Sequence, residues 1–360
     1  MRISVPVSVD LLELTAQLVA IPSVSFNEAL ITDHIESLLA PAGWLEVVRM
    51  GNNLVARTNL GRPSRIVLAG HTDTVPPNQN ETPRIEDGVL WGIGSCDMKS
   101  GVAAILHLAL TVPEPEVDVT YVFYACEEVT TGDNGLEMLF EVRPDLVAGD
   151  AALLAEPTAA QVEAGCQGIL QMDAITTGRR AHTARGWLGV NALHRMAPVI
   201  DAVAAYEGRE VVIDGCRFRE GLQAVRINAG VADNVVPDRA VLRVNHRFAP
   251  DRTFEDAAAH LQQVLFAADE LIVVEYAVAA APGLDHPLLQ ALLAEAGGSY
   301  TGKLGWTDVA RFAARGIPAV NFGPGDPVVA HTQEEHVTRN DIDRVYSVIR
   351  NLITTKVPAP

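Results

Sequence analysis

The sequence predicts an α/β protein: a mixed, largely parallel sheet flanked by helices, interrupted by an inserted α+β domain of ferredoxin-like order. Three observations carry this. Over residues 1 to about 160, helical and strand-like stretches alternate, the pattern of an α/β layer. From about 168 to 281 the rhythm becomes β-α-β-β-α-β, the order of the split βαβ sandwich. After "AAPGLDHP" the first style returns, so the C-terminal segment completes the layer that the insertion interrupts. The expected domains are therefore 1–168 with 282–360, and 169–281.

The first element opens at Asp10. Asp10 and Glu13 have the spacing of a capping box, and the apolar positions of "LLELTAQLVA" recur with helical period until Pro22 stops the pattern. The same period marks helices near 27–40 and 100–111. Ile66 to Gly70, Val119 to Cys126 and residues 151–155 are short continuous apolar runs, as strands buried on both faces require. "TVPEPEVD" at 111–118 is a proline-rich loop. In the insertion, "ILQMDAITTG", "LQAVRINAG", "RAVLRVNHRF" and "LIVVEYAVA" read as strands, with helices near 189–206 and 253–268. The closing segment predicts helices around 287–296 and 307–315, a strand at "PAVNFG" and a final helix from about 340.

With 360 residues and 48% apolar content, the chain is expected to be soluble and globular, long enough for roughly two ordinary domains. Lys and Arg number 27 against 45 Asp and Glu, a formal charge of −18 that repels phosphate backbones and argues against nucleic acid or an anionic membrane as partner. No stretch approaches the roughly 20 apolar residues of a membrane span. The N-terminus lacks the signal-peptide pattern, because Asp10, Glu13 and Gln17 break its apolar run. Cys96, Cys126, Cys166 and Cys216 are widely spaced with no C-x-x-C pair, so neither a disulfide framework nor a thiolate zinc site is indicated; a reducing cytoplasm is the expected location.

Chemistry enters where the apolar runs stop. "RIVLAG" leads into His71 and Asp73, "LWGIGSC" into Asp97, "VTYVFYAC" into Glu127 and Glu128, "AALLA" into Glu156, and "PAVNFGPGDPVVA" to His331. In an open parallel sheet the C-terminal strand ends share one edge, where such folds build their ligand sites, so residues far apart in sequence can converge there. Taken alone, His71 and Asp73 read as readily as a polar turn, and "CEEVTTGDNG" as an acidic surface loop. Together, two imidazoles (His71, His331) and three carboxylates (Asp97, Glu128, Glu156) suit a pair of zinc ions or similar divalent metals about 3.5–4 Å apart, with Asp97 as the bridge. The absence of thiolates favours a catalytic over a structural site. Asp73 is expected to hydrogen-bond the second nitrogen of His71 and fix its orientation. Glu127, beside a metal-binding Glu128, is placed as general base for a water whose pKa the metal lowers towards ~7.

"GHTDTVP", "GIGSCDMKSG", "CEE", "AEPT" and "GDPVVAHTQEEHV" resemble, in that order, the motifs of the zinc-dependent amidohydrolases and exopeptidases of the M20 type, and the likeness runs over essentially the whole chain. The resemblance implies a zinc-exopeptidase-like catalytic domain and an inserted dimerisation and lid domain through which a homodimer forms. It implies two Zn2+ ions, with Co2+ or Mn2+ as substitutes: His71 and Glu156 on one, Glu128 and His331 on the other, Asp97 bridging. In the same way it makes Glu127 the base or acid and Asp73 the residue that orients His71, and it makes the Asp97–Met98 peptide cis. His182 in "GRRAHTARG" would donate to the developing oxyanion from the partner subunit. Asn234 in "GVADNVVPD" and Arg247 in "RVNHRF" would grip substrate carboxylates, a guanidinium offering a bidentate fork.

The substrate so implied is a small N-acyl amino acid. "LLAEPTAAQVEAGCQG", "GRRAHTARGWLGVNA" and "WTDVARF" are most similar to the branch of the family that cleaves N-succinyl-LL-2,6-diaminopimelate. Acetylornithine deacetylation, or another aminoacylase or carboxypeptidase activity, is the alternative on the same scaffold. A metal- or ligand-binding protein without turnover is the alternative of another class. "HTARGWLG" departs from many relatives in lacking an early proline, and Arg311 falls one position later than the family pattern.

Overall fold

The computed structural model describes residues 10–129 and 131–356. It divides into two compact units, the larger made of the chain up to Ala164, Pro282–Thr301 and the stretch from Arg311 onward, the smaller of Gly165–Ala281 with Gly302–Ala310.

In chain order the strands before the insertion are β1 (Glu46–Met50), β2 (Asn53–Arg57), β3 (Arg65–His71), β4 (Arg84–Glu86), β5 (Val89–Trp91), β6 (Asp118–Tyr124), β7 (Ala151–Leu154) and β8 (Val162–Cys166). Those of the smaller unit are β9 (Gly168–Thr177), β10 (Glu210–Ile213), β11 (Cys216–Arg219), β12 (Gly221–Ala229), β13 (Arg239–Phe248) and β14 (Glu270–Ala277). β15 (Tyr300–Lys303), β16 (Ala319–Asn321) and β17 (His336–Thr338) follow.

The main sheet has eight strands in the order β1-β2-β6-β3-β7-β16-β8-β15. Its centre, β6-β3-β7-β16, is parallel. The flanks at β1-β2, β2-β6 and β16-β8 are antiparallel, so the sheet is mixed with a parallel core. The three runs read as doubly covered strands are so: β6 and β7 are buried throughout, and β3 from Ile66 onward. The helix Ser100–Thr111 lies buried from Ser100 to Ala109. Its Gly101 meets the end of β7, where a Cβ would come within 2.2 Å of the Ala155 carbonyl oxygen. The Asp10 half of the expected capping box forms, its Oδ1 accepting from the Leu12 and Glu13 amides while Oδ2 meets Arg339 at 2.6 Å.

In the smaller unit β12-β13-β9-β14 is antiparallel throughout, the split βαβ order that the sequence predicts. β13 alternates buried and half-buried residues, and its Leu242, Val244 and Phe248 share a core with Leu170 and Met172 of β9, Val199 and Leu261. The helix expected near 189–206 is two pieces, Ala192–Arg195 and Ala197–Ala204, with Pro198 opening the second. The hairpin β10-β11 was not anticipated, although its Asp214-Gly215 turn, with φ of 46° and 79°, is a strong local signal.

Two expected strand-end placements are corrected. "LWGIGSC" is not a strand of the main sheet: β5 pairs with β4 and β17 in a separate three-stranded sheet. Gly92 and Gly94, at φ 147° and 77°, then turn the chain so that Asp97 enters on a wide turn, Ser95–Lys99, at the start of the buried helix. The Asp97–Met98 peptide in that turn is cis. His331 follows β16 only after nine more residues and a short turn at Pro327–Val329. Among the described residues no helix is long and apolar enough to cross a membrane. All four cysteines are free and buried.

Candidate active site

β3 delivers His71 as its last residue, 1% exposed. Its Nε2 lies 3.2 Å from Asp97 Oδ1, and the other oxygen of Asp97, Oδ2, lies 3.3 Å from His331 Nε2. His331 Nε2 is also 2.7 Å from Glu128 Oε1. One carboxylate therefore stands between two imidazoles that are 260 residues apart in the chain. His71, Asp97 and Glu156 form one triad whose donor atoms all lie within 4.8 Å of one another, and Asp97, Glu128 and His331 form a second. His71, Glu127 and Glu128 make a third group of the same compactness, so Glu127 lies at the same cluster.

The environment fixes the charges. Burial works against charge on His71, but Asp73 and Asp97 outweigh it and hold its pKa well above the ordinary value. Asp97 and Glu128 push His331 up to about 10 despite partial burial. Burial would raise Asp97, yet its bonds to His331 and His71 take it far below the usual carboxylate range. A divalent metal displaces any proton these imidazoles hold, since metal ligands must be deprotonated to bind. Burial lifts the neighbouring thiols, Cys126 to about 12 and Cys96 still higher, so neither supplies a thiolate at neutral pH.

Asp73 has a further task beside the one the sequence suggested. The nearest acceptor to His71 Nδ1 is the Asp73 backbone carbonyl at 3.0 Å, with the carboxylate at 3.5 Å. The carboxylate, fully buried, faces His71 and also accepts from the amides of Glu127 (Oδ1, 3.0 Å) and Glu128 (Oδ2, 3.1 Å) and from Ser25 Oγ (2.8 Å). Cys126, at φ 60°, turns the chain at the end of β6 so that these two amides meet it.

Two buried groups were missed. Glu335, 1% exposed, accepts from the backbone amides of Cys96 and Asp97 through Oε1, each at 3.0 Å. Lys99, equally buried, donates to the carbonyls of Leu18 (3.2 Å) and Ile21 (2.8 Å) and so ties the end of the first helix to the Asp97 turn. Glu335 lies within the quoted motif "HTQEEHV", but two adjacent glutamates carry no signal as to which one points inward.

The three substrate-side candidates belong to the smaller unit. His182 is exposed, its Nδ1 accepting from the Ala184 amide at 3.1 Å, and it pairs with Val235; Thr183 N–H donates to Asn234 O at 3.0 Å. His182 and Asn234 thus sit on adjoining loops. Arg247 is half-buried on β13, opposite Ile169 of β9, with its pKa lowered by burial against the pull of Glu275.

Two imidazoles and three carboxylates, in two triads that share Asp97, are the oxygen and nitrogen donor set that zinc, cobalt or manganese accepts, and the triads fit a pair of divalent ions. An α/β sheet edge with such a set, and a further carboxylate beside it, defines a metal-dependent hydrolase. The chain belongs to peptidase family M20/M25/M40, whose family profile matches residues 67–355. It is 49% identical over 346 residues to a Mycobacterium tuberculosis protein named "Putative succinyl-diaminopimelate desuccinylase DapE", covering 96% of this chain and 98% of that one. It is 44% identical over 356 residues to the succinyl-diaminopimelate desuccinylase of Corynebacterium glutamicum, with 96% of each chain covered. Among solved structures, a tripeptidase from Staphylococcus aureus shares the fold with a TM-score of 0.79 at 21% identity, over 96% of this chain and 97% of that one. A dinuclear metal binding peptidase of the M20 family from Bacillus subtilis shares it with a TM-score of 0.71 at 16% identity, over 96% of each.

Proposed function

We propose that the protein hydrolyses the amide bond of N-succinyl-LL-2,6-diaminopimelate, releasing succinate and LL-2,6-diaminopimelate in the cytoplasm. The observation that carries this is Asp97 shared between two donor triads with Glu127 at the same cluster, in a chain 44–49% identical to proteins with that name. His71 and Glu156 hold one Zn2+ and Glu128 and His331 the other, with Asp97 common to both and Co2+ or Mn2+ as substitutes. Bound there, the ions supply Lewis acidity to the amide carbonyl and lower the pKa of a water towards ~7. Glu127 takes the proton of that water and passes it to the leaving amine. Asp73 holds the Glu127–Glu128 peptide in place, and its carbonyl sets the tautomer of His71.

Arg247 and Asn234 bind the carboxylates at the two ends of the substrate, and Asn234 reaches it together with its neighbour His182 from a second copy of the chain, where His182 donates to the oxyanion. Two features support the homodimer. On β13 Arg247 stands opposite Ile169 and Arg239 opposite Thr177, at the end that carries His182; an offset of eight residues sets them roughly 27 Å apart, farther than one small substrate spans. β12 is an edge strand with Val225 and Ile227 exposed, a surface that a second copy covers.

The test is a substrate panel on one preparation whose metal content is measured: succinylated and acetylated diaminopimelate and ornithine. Preferential cleavage of succinyl-diaminopimelate is expected. Faster hydrolysis of acetylornithine overturns the substrate, and turnover undiminished by complete removal of metal overturns the mechanism.

A further inference from the structure

We propose that Glu335 is a positioning residue for the metal site, aiming the Asp97 carboxylate by holding the two amides that precede and carry it. This rests on the reading of Asp97 as the shared ligand. Asp97 and Met98 leave helical geometry, at φ −114°, ψ 98° and φ −133°, ψ 36°, so the wide turn on which Asp97 stands is not a regular first turn of the helix. The amides of Cys96 and Asp97 converge on a single oxygen, Glu335 Oε1. Both lie in a buried stretch, where an amide without an acceptor costs about 1–3 kcal/mol, and turning either towards another acceptor would swing the side chain of Asp97.

Glu335 also belongs to the loop that carries the second imidazole. Its amide donates to Thr332 O at 3.3 Å, its carbonyl accepts from Gly92 N–H at 3.1 Å, and Asn80 Nδ2 holds Thr332 O at 3.0 Å. The stretch from His331 to Glu335 is thereby pinned along the approach to Asp97. A single side chain relates the two segments that must present Asp97 and His331 to one ion. Glu335 is in none of the three donor triads around Asp97 and His71, which separates its role from that of a ligand. Its second oxygen, Oε2, has no hydrogen-bond partner among the described residues, so the hold is exerted by one acceptor atom.

That atom distinguishes the variants. Glu335→Gln keeps an acceptor oxygen at the same reach without the charge; Glu335→Asp keeps the charge and withdraws the oxygen by one methylene; Glu335→Ala removes both. The measurement is the metal dissociation constant, by competition with a chromophoric chelator, alongside thermal melting of each metal-free protein. Weakening of about 10- to 100-fold is expected for the Ala and Asp variants, with Gln within a few fold of the parent. Parent-like affinity in Glu335→Asp, or affinity in Glu335→Gln as weak as in Glu335→Asp, overturns the inference; these two variants decide it even where Glu335→Ala does not fold. A parent protein that takes up no metal sinks the proposed function instead, whereas a metal-binding parent matched by Glu335→Asp sinks this inference alone.

Discussion

Each unit of the chain gathers histidine and carboxylate side chains, and the two gatherings differ in what completes them. In the larger unit the Asp97 carboxylate meets the side chains of His71 and His331. In the smaller unit Glu220, His246 and His260 also bring donor atoms within 4.8 Å of one another. There, however, Glu220 accepts from Arg252 Nε at 2.7 Å, Arg209 Nη2 at 2.9 Å and the Ala249 amide at 3.1 Å, and Arg209 is held in turn by Asp251. Burial, with Arg252 adding to it, keeps both histidines below their usual pKa. A cation entering the first cluster meets imidazoles, which bind it in the deprotonated form. A cation entering the second would face two guanidiniums that do not deprotonate and that already fill the carboxylate. Residue type therefore does not define a metal centre; the nature of the resident positive charge does.

The comparison breaks most visibly under a chelator. Stripping metal is expected to abolish amide hydrolysis and zinc to restore it, with two ions per chain measured by elemental analysis; a third, tightly held ion would bring the smaller cluster into the metal chemistry. Next, Glu127→Gln should lower kcat by about 10²–10⁴-fold with the metal content unchanged, and parent-like turnover would remove Glu127 from proton transfer.

The third effect falls on stability. Glu220→Ala removes the buried acceptor shared by Arg252, Arg209 and the Ala249 amide and should cost about 1–3 kcal/mol in denaturant melts while leaving metal content at the parent level. The pH dependence follows from the same group. Burial would raise the Glu220 pKa, but Arg252, the Ala249 amide and Arg209 bring it below the ordinary value. A depressed folded-state pKa contributes stability that is present above the unfolded value of roughly 4.3 and lost as pH falls through the folded one. Glu220→Gln should accordingly show a shallower fall in melting temperature between pH 5 and pH 3 than the parent, and an equal slope would refute the assignment. The smallest effect is expected from His260→Ala, which should leave the number of bound ions unchanged.

Much of this fold is legible in the sequence, because burial on both faces leaves a continuous apolar run and Ile66–Gly70, Val119–Tyr124 and Ala151–Leu154 are such runs. The antiparallel flank β1-β2 is not, since its residues are half exposed in β1 and buried in β2 without a shared alternation. The three-stranded sheet escapes for another reason: strands of three residues carry no period. At the site, His71, Glu127, Glu128 and Glu156 follow directly from strand ends, while Asp97 and His331 arrive by routes set by Gly92, Gly94 and a nine-residue excursion. The bond from Glu335 to the Asp97 amide joins positions 238 apart, and nothing local in "QEEH" announces it.

Asp73 gives these separate routes a common datum. Its carbonyl faces the first imidazole, and its two carboxylate oxygens face consecutive amides of another segment, over 50 residues away in sequence. A shift of either segment must therefore carry the other along or break these bonds, so the spacing among His71, Glu127 and Glu128 is referred to a single residue.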